Sequence, residues 1–159
     1  MPDKFNMQSP PFDRLDEAQQ QTLRASLDVA YFRGRDTLLR TGTASKHLHI
    51  LIKGVVEEQS IDGKEIFAHY ANDDLFDVRA LFEGEVRHNY IALEDTLSYL
   101  LPKDVFLSLY EQNGQFAAYF DNNLAKRQAL IEAAQQQQNL AEFILTKVDS
   151  DIYLSLIHI

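Results

Sequence analysis

From Tyr31 to about Pro102 the apolar residues come only in short runs, TLL, LHILI, GVVEE, EIFAHY, NYIAL and TLSYLL. Each run is closed by glycine or acidic turn residues at short, regular spacing. Segments of that length reach a core only by pairing with neighbours, so the pattern predicts an antiparallel roll or sandwich. In IDGKE, Asp62-Gly63 supplies the positive backbone angles that a two-residue hairpin turn requires. Gly34, Gly42 and Gly54 fall at strand boundaries, where glycine relieves a corner or a close backbone approach.

The flanks read differently. In PPFDRLDEAQQQTLRASLDVAYF, Asp16 is placed to cap a short helix carrying Leu23 and Leu27 at a helical interval, with Phe12 and Leu15 pinning its start. Pro102 opens a second helix with Val105, Phe106 and Leu109 on one side. From Gln115, Phe116, Phe120, Leu124, Leu130, Ile131, Ala134, Ala141, Ile144 and Val148 recur at three- and four-residue steps without an intervening proline or glycine. This predicts a helix of roughly 30 residues, about three times the usual length. Its second half has no evident intrachain partner, which favours a homodimeric coiled-coil seam. The fold class is therefore α+β and mostly β: an antiparallel β-roll of the double-stranded β-helix or jelly-roll-like kind, with an N-terminal helix and a long C-terminal helix.

Composition narrows the function. The 159 residues, 45% hydrophobic and 25% charged, suit one sizeable core with appendages. The formal charge of −9 repels polyanions, so neither nucleic acid nor an anionic membrane surface is an expected partner. There is no cysteine to serve as a nucleophile or thiolate ligand. No apolar run approaches the ~20 residues of a membrane span, and the opening MPDKFNMQSPPFD lacks the regions of a signal peptide, so a cytoplasmic location is expected.

Catalytic motifs are absent as well. There is no glycine-flanked serine elbow, no G-x-x-x-x-G-K loop and no H-E-x-x-H. His47 and His49 share a strand face in the way a cupin-type metal site begins, but no third and fourth ligand follow, so exposed strand histidines are expected. The neighbours Glu57-Glu58 and Asp73-Asp74 point to opposite faces, cannot act as an acid/base pair, and are expected to be solvated turn charges. A regulatory module rather than an enzyme is the outcome.

The run from Tyr31 to Phe106, with HILIKGVVEE as a strand-glycine-strand element and Gly34, Gly42 and Gly54 in place, resembles the cyclic-nucleotide-binding domain family. That is the β-roll also found in the catabolite activator protein, and the resemblance covers about Phe12 to Arg127. It implies a phosphate cassette of the form Phe-Gly-Glu-apolar-small-Leu, followed by an arginine and a serine or threonine. Phe76, Ala80, Leu81 and Arg87 match it. Asp77 stands for the glycine, Val78 for the glutamate that accepts from the ribose 2′-hydroxyl, and His88 for the serine or threonine.

The implied ligand is cAMP or another small nucleotide or anion. Arg87 is the expected anion contact, and the backbone around Asp77 to Arg79 supplies helix N-terminal donors. The competing role for Arg87 is an ion pair with Asp77 or Glu83. Val78 leaves a ribose hydroxyl unpaired, at about 1 to 3 kcal/mol, and Asp77 sets a carboxylate beside the phosphate.

PPFDRL, YIALEDTLSYLLPKDVF and NLAEFILTKVDSDIY further resemble the N-terminal region of bacterial signal-transduction proteins. These join such a domain to paired CBS domains and a nucleotidyltransferase-like domain. The expected organisation is a tail over 1–11, the roll with its flanking helices over 12–127, a helix leading downstream over 128–153, and a non-native tail over 154–159. LSLIHI is similar to the translation of a transposase-adapter end. The expected function is small-ligand sensing in a signal-transduction protein, the alternatives being a ligand-free dimerisation scaffold and a cupin-type metal-dependent enzyme.

Overall fold

The computed structural model describes the backbone of residues 5–158, and side chains through Leu140 apart from residues 131, 134, 138 and 139. The chain divides into two compact units, the first ending at Phe120 and the second beginning at Asp121.

The first unit opens with a single 3-10 turn at Phe12–Arg14, followed by α1 (Glu17–Ser26). Asp16 caps α1 as its sequence predicts: its carboxylate accepts from Gln19 N at 2.8 Å, and Gln19 Oε1 accepts from Asp16 N at 3.1 Å. Eight strands follow, with one short helix between the sixth and seventh: β1 (Asp28–Phe32), β2 (Thr37–Leu39), β3 (His47–Lys53), β4 (Val56–Gln59), β5 (Ile66–Tyr70), β6 (Leu75–Phe76), α2 (Val78–Glu83), β7 (Asn89–Ala92) and β8 (Thr96–Pro102). α3 (Lys103–Gln112) and α4 (Gly114–His158) complete the chain.

The strands form two four-stranded antiparallel sheets, ordered β1-β8-β3-β6 and β2-β7-β4-β5. This is the antiparallel β-roll expected, with helices on both flanks. The tight corner after β3 shows why a glycine is needed there. Gly54 has φ +108°, and a Cβ on it would lie 2.4 Å from Thr96 Oγ1 and 2.9 Å from the Asp95 carbonyl oxygen.

The larger apolar cluster joins β3 and β8 to all the helices of this unit, with Leu23, Leu48, Leu101, Phe106, Phe116 and Phe120 fully enclosed. A smaller cluster built on Leu51, Val56, Phe76, Ala80, Val86 and Tyr90 lies under the cassette.

Three expectations need correction. The domain does not start at Phe12: Phe5 and Met7 are buried, and Phe5 meets Phe12 and Tyr99 edge to face at 4.8 and 5.2 Å. These aromatic contacts bind the supposed tail to the core. The long helix spans 45 residues rather than roughly 30 and reaches His158, because nothing after Gly114 breaks a helix. Glu57 and Glu58 are not solvated turn charges; both lie on β4, at 8% and 0% exposure.

In the second unit Leu130 and Leu140 are exposed. The stripe positions Ile131, Ala134, Ala141, Ile144 and Val148 lie outside the described side chains. No helix among the described residues is long and apolar enough to cross a membrane.

Candidate functional site

The stretch from Phe76 to His88 connects the two sheets. β6 pairs with β3 through Phe76 and His49, α2 follows, and β7 starts at Asn89 in the other sheet. Asp77 takes the left-handed backbone conformation, φ 59° and ψ 39°, that the sequence pattern reserves for glycine. Aspartate is among the few residues that tolerate it. Its Oδ1 accepts from the Tyr90 hydroxyl at 3.2 Å, so it turns toward the roll.

Val78 packs against the larger apolar cluster, and Ala80 and Leu81 are buried beneath α2. Gly84, at φ 89°, ends the helix by donating to the Ala80 carbonyl at 2.7 Å.

Glu83 gathers both arginines. Its Oε1 accepts from Arg87 at 2.9 Å, and its Oε2 lies 3.5 Å from Arg79 Nε. Of the two carboxylates proposed for Arg87 from sequence, the ion pair is with Glu83. The Arg87 side chain is 58% exposed, so this contact is held at the mouth of a cleft.

That cleft, of about 1010 Å³, is large enough for a nucleotide. Its charge is unfavourable to one: Asp62, Glu65, Glu83 and Glu85 line it against one arginine, Arg87, and one imidazole, His88.

His88 is turned inward. Its Nδ1 donates to Glu58 Oε2 at 2.5 Å, while the Tyr70 hydroxyl donates to Glu58 Oε1 at 2.7 Å. Phe67 stacks on the His88 ring at 4.3 Å. Register explains the grouping: Glu58 stands opposite Tyr90 and Ala68, and Val56 opposite Tyr70 and Ala92, so these side chains share one face. Sequence reasoning missed Glu58, Tyr70 and Tyr90. The legible signal was a glutamate in the phase of β4 otherwise taken by valine.

His49 also departs from expectation. It is 5% exposed and stacks on Phe76 at 4.9 Å. Burial first, and the charge of His47 second, lower its pKa from 6.5 to about 4. Among the described residues no group of three or more His, Cys, Asp or Glu side chains is arranged to hold a metal ion.

From α2 an aromatic path leads to the start of α4. Phe82 meets Phe106 at 5.7 Å and Tyr110 at 5.0 Å, and Phe106 meets Phe120 edge to face at 4.9 Å.

The model of the family described as "Cyclic nucleotide-binding domain" matches residues 29–113, which is more than half of the chain. Among solved structures, the sensor domain of the transcriptional regulator DNR from Pseudomonas aeruginosa is similar at 19% identity and a TM-score of 0.69, over 76% of this chain and 88% of that one. The Thermus thermophilus catabolite activator protein matches at 22% identity and a TM-score of 0.67, over 84% of this chain and 63% of that one. The regulatory subunit of a cAMP-independent protein kinase A from Trypanosoma brucei matches at 18% identity and a TM-score of 0.60, over 69% of this chain and 39% of that one. The chain thus spans less than two thirds of the length of the last two. No curated protein matches the chain. At these identities the structural likeness establishes the fold.

Proposed function

The chain belongs to the cyclic nucleotide-binding domain family, and from that premise we propose that it is a small-ligand-sensing regulatory domain whose site has departed from cyclic-nucleotide recognition. The observation that carries this reading is Glu83, which engages both Arg79 and Arg87. A cyclic phosphate on Arg87 has to displace that carboxylate and approach Glu85, Asp62 and Glu65 as well.

The ribose side is changed too, since Val78 offers no acceptor to a sugar hydroxyl, and a buried unpaired hydroxyl costs about 1 to 3 kcal/mol. The fold similarity to the regulatory subunit of a protein kinase A described as cAMP-independent is compatible with a roll that outlives its nucleotide.

In this reading, occupancy of the cleft shifts α2, and Phe82, Phe106 and Phe120 carry the shift to the first turns of α4. Such transmission requires a ligand that favours one of two packings of this joint. The exposed Leu130 and Leu140 on α4 favour an accompanying role in pairing with a second copy. Downstream CBS and nucleotidyltransferase-like domains, in a cytoplasmic signal-transduction protein, are the output this reading proposes.

Titration calorimetry with cAMP and cGMP tests it. The unmodified chain is expected to give no saturable heat, and Glu83→Gln, which releases Arg87, is expected to bind weakly. Saturable binding by the unmodified chain that disappears in Arg87→Ala would overturn the proposal.

A further inference from the structure

A second cleft lies among β1, β2 and the loop that leads into β3. Its volume is about 640 Å³, within the range of small-molecule sites. Its charge is opposite to that of the cassette cleft: Arg40, Lys46, His47 and His49 line it, and no carboxylate does. In a chain of net charge −9 this is a local reversal of sign.

The two cations are not engaged elsewhere, since none of the ion pairs among the described residues involves Arg40 or Lys46. An independent observation concerns His49, which is 5% exposed and whose Nδ1 is buried without a hydrogen-bond partner. A buried imidazole nitrogen left unsatisfied in this way is costly unless a ligand or water meets it. Ser45, in the loop before Lys46, likewise has a buried hydroxyl without a partner.

The floor is apolar and partly aromatic. Phe32, Leu38, Leu39 and Leu100 line it, and the Phe32 ring lies 6.4 Å from that of His49. Cations at the rim above an apolar floor suit a molecule with one charged end and a flat or greasy body.

We propose that this cleft is a second ligand site, which takes a small organic oxyanion, a phosphate ester or carboxylate with an aromatic or apolar body. Arg40 and Lys46 hold the oxyanion, His47 and His49 hydrogen-bond to it or to a neighbouring polar atom, and Phe32, Leu38 and Leu100 cover the body. The site is distinct from the cleft around Arg87, with which it shares no lining residue, although His49 stacks on Phe76 at the start of the cassette.

The test is NMR of the histidine ring protons of the whole chain titrated with phenyl phosphate, and separately with inorganic phosphate. Phenyl phosphate is expected to shift the His47 and His49 signals saturably. The double variant Arg40→Ala/Lys46→Ala, both at exposed positions, is expected to bind roughly tenfold or more weakly, as loss of charge-assisted contacts predicts. Arg87→Ala is expected to leave the titration unchanged, and inorganic phosphate to bind more weakly than the phenyl ester. The proposal is overturned by any of four results: no saturable shift, an equal shift in the double variant, inorganic phosphate binding as tightly as the ester, or loss of the shift in Arg87→Ala. The last would place the anion in the cassette instead.

Discussion

His88 donates to the enclosed carboxylate of Glu58 at 2.5 Å, a contact that spans 30 positions of sequence and ties the end of the cassette to the middle of β4. It replaces an expected ligand contact with an internal one. Glu58→Ala removes the acceptor used by His88 and Tyr70 at once. A loss of about 2 to 4 kcal/mol is expected in urea unfolding, as for other deletions within buried charged networks. Glu58→Gln, which keeps an acceptor, is expected to lose less.

His49 makes stability depend on pH. Its folded-state pKa is about 4 against 6.5 unfolded, so between those values the unfolded chain binds the extra proton. Stability is therefore expected to fall as pH drops from about 6.5 toward 4, by an amount on the order of 3 kcal/mol. His49→Phe, which keeps a ring against Phe76, is expected to flatten the slope. Thermal unfolding of both proteins from pH 7 to pH 4.5 measures it.

The corner after β3 admits no side chain. In Gly54→Ala the new methyl meets Thr96 and the Asp95 carbonyl at less than 3 Å, on a backbone with φ +108°. A loss of about 3 kcal/mol or more is expected in denaturant unfolding.

Nucleotide recognition should be recoverable in steps. Asp77→Gly suits the left-handed backbone already present there, and Val78→Glu returns a ribose acceptor. Added to Glu83→Gln, the pair is expected to strengthen cAMP binding by roughly 1 to 3 kcal/mol over Glu83→Gln alone. Calorimetry on the two variants reads the difference, and equal affinities would show that Val78 does not face the sugar.

Self-association through α4 is expected to appear as a dimer in light scattering. A chain ended near Gln128 is expected to be monomeric while keeping the unfolding transition of the roll, since the first compact unit ends at Phe120.

The strand texture and the Asp16 cap were legible because each rests on neighbours in sequence. The link between β4 and β5 was legible as a reversal but not as a two-residue turn, since it runs over residues 60–65 and of the pair Asp62-Gly63 only Gly63 takes a positive φ, 74°. The stretch matched to the cassette pattern was local too, with Phe76, Ala80, Leu81 and Arg87 close together in sequence. What they meet was not. Which face of β4 is interior depends on its pairing with β5 and β7, so Glu58 looked like any strand glutamate. His49 looked exposed for the same reason, since its cover comes from Phe76 and Phe32, distant in sequence. Phe5 and Met7 precede a double proline and read as a tail, although Phe12 and Tyr99 supply the surface that buries Phe5. The length of α4 was underestimated because the apolar steps were followed only as far as Val148 and LSLIHI was set aside as adapter-derived.

The joint at Phe82 also gives this protein a natural place for an optical reporter. The chain contains no tryptophan, so an indole substituted for Phe82, which is 40% exposed, would emit without background from any other. Its emission colour would follow how far that ring is shielded by Phe106 and Tyr110. Occupancy of the cleft around Arg87, which the proposed path through α2 connects to this ring, could then be followed in dilute solution with no labelled ligand.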